Sequence, residues 1–365
     1  MPTDLDDRRS IDGAPMIKLL IVDDSALMRK HLRAIFEAEG GFEVLAARDG
    51  REALAQIEQY NPDVVTLDVN MPEMDGITCL CEIMAHSPRP VVMVSSITAK
   101  GAQVTLEALE LGAVDFVEKP GGEVSLNIEA VRGQLIAKIK AAARAKPRRA
   151  RGLLQRVQRT AQVGAQPRPI ASLDAVSGLV VIGVSTGGPR TLEDILPELP
   201  ADFPWPVIVA QHMPGAFTGS FAARLDTFCP LKVVEVGAAM QLKRGNIYIG
   251  RGNADVVVDV RLGRWIVNSL PEDADYLWHP SVELLVRTAM RVVGARQVVG
   301  VQLTGMGNDG AQAMTALRKA GGRTIAEHES SAIVYGMPAE LVRLGGADRI
   351  LPSAKIAEQL TSWIK

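Results

Sequence analysis

The chain has 365 residues, 47% apolar and 22% charged, with a formal net charge of −2. That length and balance describe two globular domains and exclude a disordered chain or a nucleic-acid scaffold. No apolar run approaches the ~20 residues that span a bilayer, and the polar, acidic opening "MPTDLDDRRSIDGAP" is the opposite of a signal peptide. Three unevenly placed cysteines, Cys79, Cys81 and Cys229, form neither a disulfide framework nor a CxxC pair. A cytoplasmic protein without membrane insertion is expected.

In chain order, residues 1–16 read as a floppy extension. From residue 17 to 145, "KLLIVDD", "FEVLAAR", "DVVTLD", "PVVMVSS" and "AVDFVEK" predict five strands. Amphipathic stretches lie between them, and "IEAVRGQLIAKIKAAARA" predicts a closing helix. Short Val/Ile/Leu-rich strands separated by helices predict a parallel sheet covered on both faces. After Glu129 no acidic residue appears until Asp174, while arginines and lysines accumulate around Pro147, Pro167 and Pro169. Residues 146–176 therefore read as a basic linker. It has no interleaved aromatics and no helix-turn-helix nearby, so a solvated tether or a docking strip for an acidic partner is expected over a nucleic-acid contact.

Residues 177–365 form a second alternating series. "LVVIGVS", "PVIVAQH", "LKVVEVG", "NIYIG", "DVVVDV", "RWIVNS", "QVVGVQLTG" and "GRTIAEH" are strand-like; "SVELLVRTAMRVVG", "GAQAMTALRKAG" and "PAELVRLG" are helix-like. Alternation at both ends, with hairpin-like strands between, predicts a doubly wound, mixed but mainly parallel α/β domain.

Functional groups in open parallel sheets collect at the carboxyl ends of strands. In the first domain these ends carry Asp23 and Asp24, Asp68, Ser95 and Ser96, and then Lys119. Three converging carboxylates repel unless a cation sits among them, and Mg²⁺ suits such an oxygen-rich site. Strand-end aspartates also serve as caps, but a whole set in register is poorly explained that way.

"LIVDDS", "TLDVNMPEMDG", "VVMVSS" and "FVEKP" resemble a response-regulator receiver domain, a (βα)5 flavodoxin-like fold. The resemblance implies that Asp68 is phosphorylated by a partner histidine kinase, a carboxylate acting as nucleophile. It further implies Mg²⁺ held by Asp24, Asp68 and the backbone carbonyl of Asn70, with Asp23 acting through water. Ser95 takes the hydroxyl position that reorients toward the phosphoryl group, Lys119 pairs with that group, and Phe116 is the aromatic switch.

In the second domain, "VVIGVSTGGP" brings Ser185 to the tip of an apolar strand among glycines and matches G-x-S-x-G. Ser185 is either a nucleophile or the cap of the next helix. A serine nucleophile needs a base oriented by a third group. His31 and His86 lie in the first domain. His212 ends "PVIVAQ" and is placed one strand from Ser185; His328 and His279 remain surface or core alternatives. Asp309, in the Gly-rich "LTGMGNDG" loop, is either the orienting carboxylate or an N-cap for "AQAMTALRKAG". The order Ser, His, Asp differs from the Ser, Asp/Glu, His order of α/β-hydrolases.

With "VIGVSTGGP", "VIVAQHMP", "LTGMGNDGA" and "YGMPAE" in this order behind a receiver, the chain resembles the chemotaxis-response protein-glutamate methylesterases. The resemblance implies a triad of Ser185, His212 and Asp309, an oxyanion donor at the Met306 N–H, and Thr186 lining the site, with no metal there. It implies hydrolysis of γ-glutamyl methyl esters on the cytoplasmic helices of methylated chemoreceptors, and deamidation of receptor glutamines. The segment "LWHPSVELL", Leu277 to Leu285, departs from the arginine-rich turn of many members. An unphosphorylated receiver packed over the Ser185 edge would exclude a bulky receptor helix, so phosphorylation is expected to activate. Rival readings are a phosphorylation-controlled binding module, a DNA-binding regulator, and a hydrolase of another ester or amide.

Overall fold

The computed structural model describes residues 16–95, 99–119, 128–145 and 176–364. Nearly all of the expected extension and basic linker therefore lies outside the described residues. The chain divides into two compact units, with the boundary between Arg151 and Gly152.

The first unit contains strands β1 (Ile17–Val22), β2 (Phe42–Ala47), β3 (Val64–Asp68), β4 (Val91–Ser95) and β5 (Asp115–Glu118). Helices α1 (Ala26–Glu39), α2 (Gly50–Tyr60), α3 (Gly76–His86), α4 (Ala99–Leu111) and α5 (Ile128–Ala143) alternate with them. The sheet order is β2-β1-β3-β4-β5, parallel throughout. β3 and β4 are buried along their whole length, as strands covered by helices on both faces must be. Ser25, Asp49 and Asp75 cap α1, α2 and α3 through their side chains. Helix capping thus falls to residues other than Asp23, Asp24 and Asp68. The order reverses between β1 and β3, and the ends of those two strands carry the acidic residues.

The second unit contains β6 (Leu179–Val184), β7 (Val207–Gln211), β8 (Lys232–Val236), β9 (Met240–Gln241), β10 (Asn246–Gly250), β11 (Asp255–Arg261), β12 (Arg264–Leu270), β13 (Val298–Gln302), β14 (Arg323–Glu327) and β15 (Arg349–Leu351). Its helices are α6 (Gly188–Ile195), α7 (Gly215–Asp226), α8 (Val282–Val293), α9 (Ala311–Lys319), α10 (Met337–Arg343) and α11 (Ile356–Trp363). The expected mixed sheet resolves into two. A seven-stranded sheet, β15-β14-β13-β6-β7-β10-β8, is parallel at every pairing. The hairpin β11–β12 leaves it and joins β9 in a separate antiparallel sheet. This split follows from burial: β11 is buried in its first half and exposed in its second, which a central strand of the covered sheet could not be.

β6 lies centrally, with all six residues buried. Helix α8 packs against it: Val282, Leu285, Val286, Ala289 and Val293 recur at helical spacing and are buried in the same core as Val181, Ile208 and Tyr248. Gly183 permits this approach, since a Cβ there would fall 2.4 Å from Val282 Cγ1. The N-terminus of α8 is thereby seated beneath the turn that follows β6.

Candidate active site

At the carboxyl edge of the first sheet, side-chain oxygens of Asp23, Asp24 and Asp68 all lie within 4.8 Å of one another. Asp23 and Asp68 are buried and Asp24 is exposed. Lys119 Nζ donates to Asp68 Oδ2 at 2.6 Å and stands 3.1 Å from Asp23 Oδ2. Burial pushes the Asp68 carboxyl above the usual carboxylate range, with Lys119 pulling against it and Asp23 adding to it. Asp23 Oδ2 is buried and, beyond the Lys119 ion pair, has no hydrogen-bond partner among the described residues. An all-oxygen donor set with an underused buried oxygen fits a hard divalent cation such as Mg²⁺. The exposed Asn70 directs its N–H to Asp68 Oδ1 at 3.3 Å. Ser95 ends β4 with its hydroxyl buried and without a partner among the described residues, and its carbonyl accepts from Lys119 N–H at 2.7 Å. Phe116 is buried in β5, with Lys138 Nζ 5.3 Å from its ring centre.

In the second unit, β6 and β7 pair in parallel up to Val184 and Gln211, so the next residues, Ser185 and His212, sit side by side. His212 N–H donates to Val184 O at 3.0 Å. The Gln211 side-chain amide bridges the two turns, donating to Ser185 O at 3.0 Å and to His212 O at 3.1 Å. Ser185 does not cap the following helix: the N-cap of α6 is Gly187, at φ 77° and without a side-chain bond. That left-handed turn favours glycine and leaves the Ser185 side chain free of a capping task.

Asp309 does not cap α9 either, whose N-cap is Gly310 without a side-chain bond. Its carboxylate instead reaches across to the start of α8. Oδ2 accepts from Val282 N–H at 2.7 Å, and Oδ1 accepts from Glu283 N–H at 2.9 Å and from Ser281 Oγ at 3.3 Å. A helix N-terminus is well suited to hold an anion. The same Oδ2 meets His212 Nε2 at 2.8 Å. A carboxylate can only accept, so Nε2 carries the proton and Nδ1 offers a lone pair. Nδ1 is buried and has no partner among the described residues. The structure thus brings His212 and Asp309 into contact and sets Ser185 beside them, without closing a hydrogen bond from Ser185 to Nδ1.

The loop after β13 is tied to the Ser185 turn. Ser185 N–H donates to Thr304 O at 3.0 Å, and Thr304 Oγ1 donates to Thr186 O at 2.9 Å. Thr304 N–H donates to the fully buried Glu327 at 2.8 Å. Gly305 O accepts from Met337 N–H at 2.8 Å. Thr186 is buried and Met306, next along this braced loop, is half-buried. Of the alternative histidines, His328 is exposed and bonds Ser330, while His279 faces Asp255 at 3.1 Å.

Several residues of this arrangement carried no signal of their own in the sequence. Gln211 read as the tail of an apolar strand and Glu327 as a strand end. Ser281 to Glu283 gave the clearest available clue, an N-cap serine before an apolar periodic run, but nothing in it named Asp309 as the partner.

The CheB methylesterase family matches residues 180–360, and the response regulator receiver domain matches residues 19–130. A Rhodospirillum rubrum protein named protein-glutamate methylesterase/protein-glutamine glutaminase 3 is 55% identical, over 96% of this chain and 96% of its own. A Rhodopseudomonas palustris relative, number 2 of the same name, is 52% identical over 95% of this chain and 98% of its own. The crystal structure of the Thermotoga maritima CheB methylesterase catalytic domain is 37% identical, covering 52% of this chain and 99% of that one with a TM-score of 0.50. This chain belongs to the CheB methylesterase family, in the form that carries a receiver domain ahead of the methylesterase domain.

Proposed function

We propose that the chain is a phosphorylation-regulated protein-glutamate methylesterase and protein-glutamine glutaminase, with Ser185 as nucleophile, His212 as base and Asp309 as its orienting group. The observation that carries the reading is the His212–Asp309 contact at 2.8 Å, with the buried Nδ1 left unpartnered on the side of the ring away from the carboxylate. Ser185 and His212 directly follow the last paired residues of β6 and β7, and catalytic hydrogen bonds commonly tighten only when substrate arrives.

His212 Nδ1 takes the Ser185 proton as Oγ attacks the γ-carbonyl of a methylated glutamate. The carbonyl oxygen becomes an oxyanion facing the Met306 N–H, with Thr186 lining the same pocket. His212 returns the proton to the leaving methoxide, methanol departs, and an acyl-serine remains. Water, deprotonated by His212, attacks that ester and releases glutamate and free Ser185. With glutamine the leaving group is ammonia and the remaining steps are the same. Asp309 holds the imidazole in the productive tautomer throughout, and this site needs no metal.

Residues 17–145 serve as the receiver and 177–365 as the hydrolase. Asp68 accepts a phosphoryl group from a chemotaxis histidine kinase. Asp24, Asp68 and the Asn70 carbonyl would hold Mg²⁺, with Asp23 assisting, and the bound ion would supply charge neutralisation for the transfer. Lys119 and Ser95 then bind the phosphoryl oxygens, and Phe116 follows Ser95. The substrates are methylated cytoplasmic helices of chemoreceptors, which places the protein in the cytoplasm; no helix among the described residues is long and apolar enough to cross a membrane. Methanol release from methylated receptor, with and without a small phosphoryl donor, tests the reading. Ser185→Ala abolishing release supports it, and release unaffected by Ser185→Ala overturns it.

A further inference from the structure

The indole of Trp278 lies parallel to the His212 imidazole, with ring centres 6.0 Å apart and an angle of 4° between the planes. The chemistry above makes no use of it. Two sets of contacts hold the ring in place. Asp255, 1% exposed, accepts from Asp273 N–H and from Ser281 N–H at 2.9 Å each, and both its oxygens stand 3.1 Å from His279 Nδ1. The chain is therefore clamped on both sides of Trp278. The indole also covers the loop leading to Asp309: a Cβ at Gly307, where φ is +85°, would fall 2.9 Å from Trp278 Cζ2. Ser281, three residues along, donates to Asp309 Oδ1 at 3.3 Å. One short segment thus places an aromatic ring parallel to the imidazole and helps seat the carboxylate that the imidazole meets.

Parallel aromatic rings at this separation interact directionally, and an aromatic face attracts a cation within about 6 Å. In the proposed reaction the imidazole takes the Ser185 proton and becomes cationic. An attraction that appears at that moment lowers the barrier and leaves ground-state binding alone. We propose that Trp278 is a positioning residue for this hydrolase, its indole face orienting the His212 ring and stabilising the imidazolium formed as Ser185 is deprotonated. The proposal rests on the reading of His212 as the base.

The test uses the full chain and methanol release from methylated receptor, with thermal melting to establish folding. Trp278→Leu is expected to lower kcat about five- to thirty-fold with KM moved less than about twofold, and Trp278→Phe to recover kcat to within about threefold of wild type. Wild-type kcat in the leucine variant, equal losses in both variants, or an effect confined to KM each overturn the proposal. Failure of the underlying reading has a different signature: Ser185→Ala and His212→Ala then release methanol as the wild type does, and the proposal falls with it. Tryptophan fluorescence gives a second readout should the leucine variant not fold. His212→Ala is expected to change the emission of the wild-type chain and not that of a Trp278→Phe chain. Equal changes in both backgrounds separate the two rings and overturn the proposal.

Discussion

Val282 and His212 meet at a single oxygen, Asp309 Oδ2, the amide donating at 2.7 Å and the imidazole Nε2 lying at 2.8 Å. The carboxylate is thus fixed by a helix N-terminus independently of the ring it orients. Asparagine at 309 keeps only one of the two acceptors, so its amide nitrogen confronts either Glu283 N–H or both Val282 N–H and Nε2–H, and the negative charge beside the imidazole is lost. Asp309→Asn is expected to lose about 1–3 kcal/mol of stability, measured by denaturant unfolding, while kcat for methanol release falls roughly a thousand- to ten-thousand-fold. Asp309→Ala loses the acceptor altogether and strands the amides at the start of α8. It is expected to cost about 1–3 kcal/mol of stability as well, measured by denaturant unfolding.

Gln211 joins the Ser185 turn to the His212 turn through two carbonyls. Gln211→Leu keeps the volume and removes both bonds. The expected outcome is a loss of about 1–3 kcal/mol in stability together with a fall in kcat, because Ser185 and His212 lose their common brace. A lowered melting temperature with unchanged kcat would show that the strand pairing alone holds the two turns in place.

The acidic edge of the receiver predicts a metal-dependent switch. Asp68→Ala is expected to remove any response of methanol release to a small phosphoryl donor while leaving the basal rate in place. Chelation of divalent cations is expected to do the same to the wild type, and Mg²⁺ to restore it. A response that survives both treatments would move the control point away from Asp68.

Tyr248 predicts an alkaline limit to stability. Its hydroxyl donates to Gln241 O and accepts from Lys243 N–H, and burial pushes it up to about 12. The folded chain keeps this proton after the unfolded chain has lost it. The contribution is therefore complete below about pH 10 and is lost between about pH 10 and 12, on the order of 2–3 kcal/mol in all. Unfolding free energies near pH 9 and pH 11 are expected to fall more steeply for the wild type than for Tyr248→Phe. Equal slopes would assign the alkaline loss to other groups.

Much of the fold was legible because the two parallel sheets are built from short strands such as β3 and β6, buried along their whole length and rich in Val, Ile and Leu. The two-residue β9 and three-residue β15 escaped because strands so short have no period to read. The departure of β11 and β12 into their own sheet also escaped, since pairing partners are a tertiary choice. At the site, residue types at strand ends identified Ser185, His212 and Asp309 as candidates. The cap alternatives for Ser185 and Asp309 could be dismissed only by geometry: α6 and α9 both start from glycines. The attachment of Asp309 to α8 joins segments 27 residues apart, and local spacing does not encode such a contact.

The pairing of His212 with Asp309 closes a span of 97 residues, which bears on the order in which a nascent polypeptide acquires reactivity. Synthesis delivers the alcohol first, then the imidazole, and the carboxylate only after β13 has been translated. On the proposed assignment, a truncated translation product ending short of residue 309 would carry Ser185 without the carboxylate that aligns its base, so hydrolysis is expected to begin only when synthesis is nearly complete.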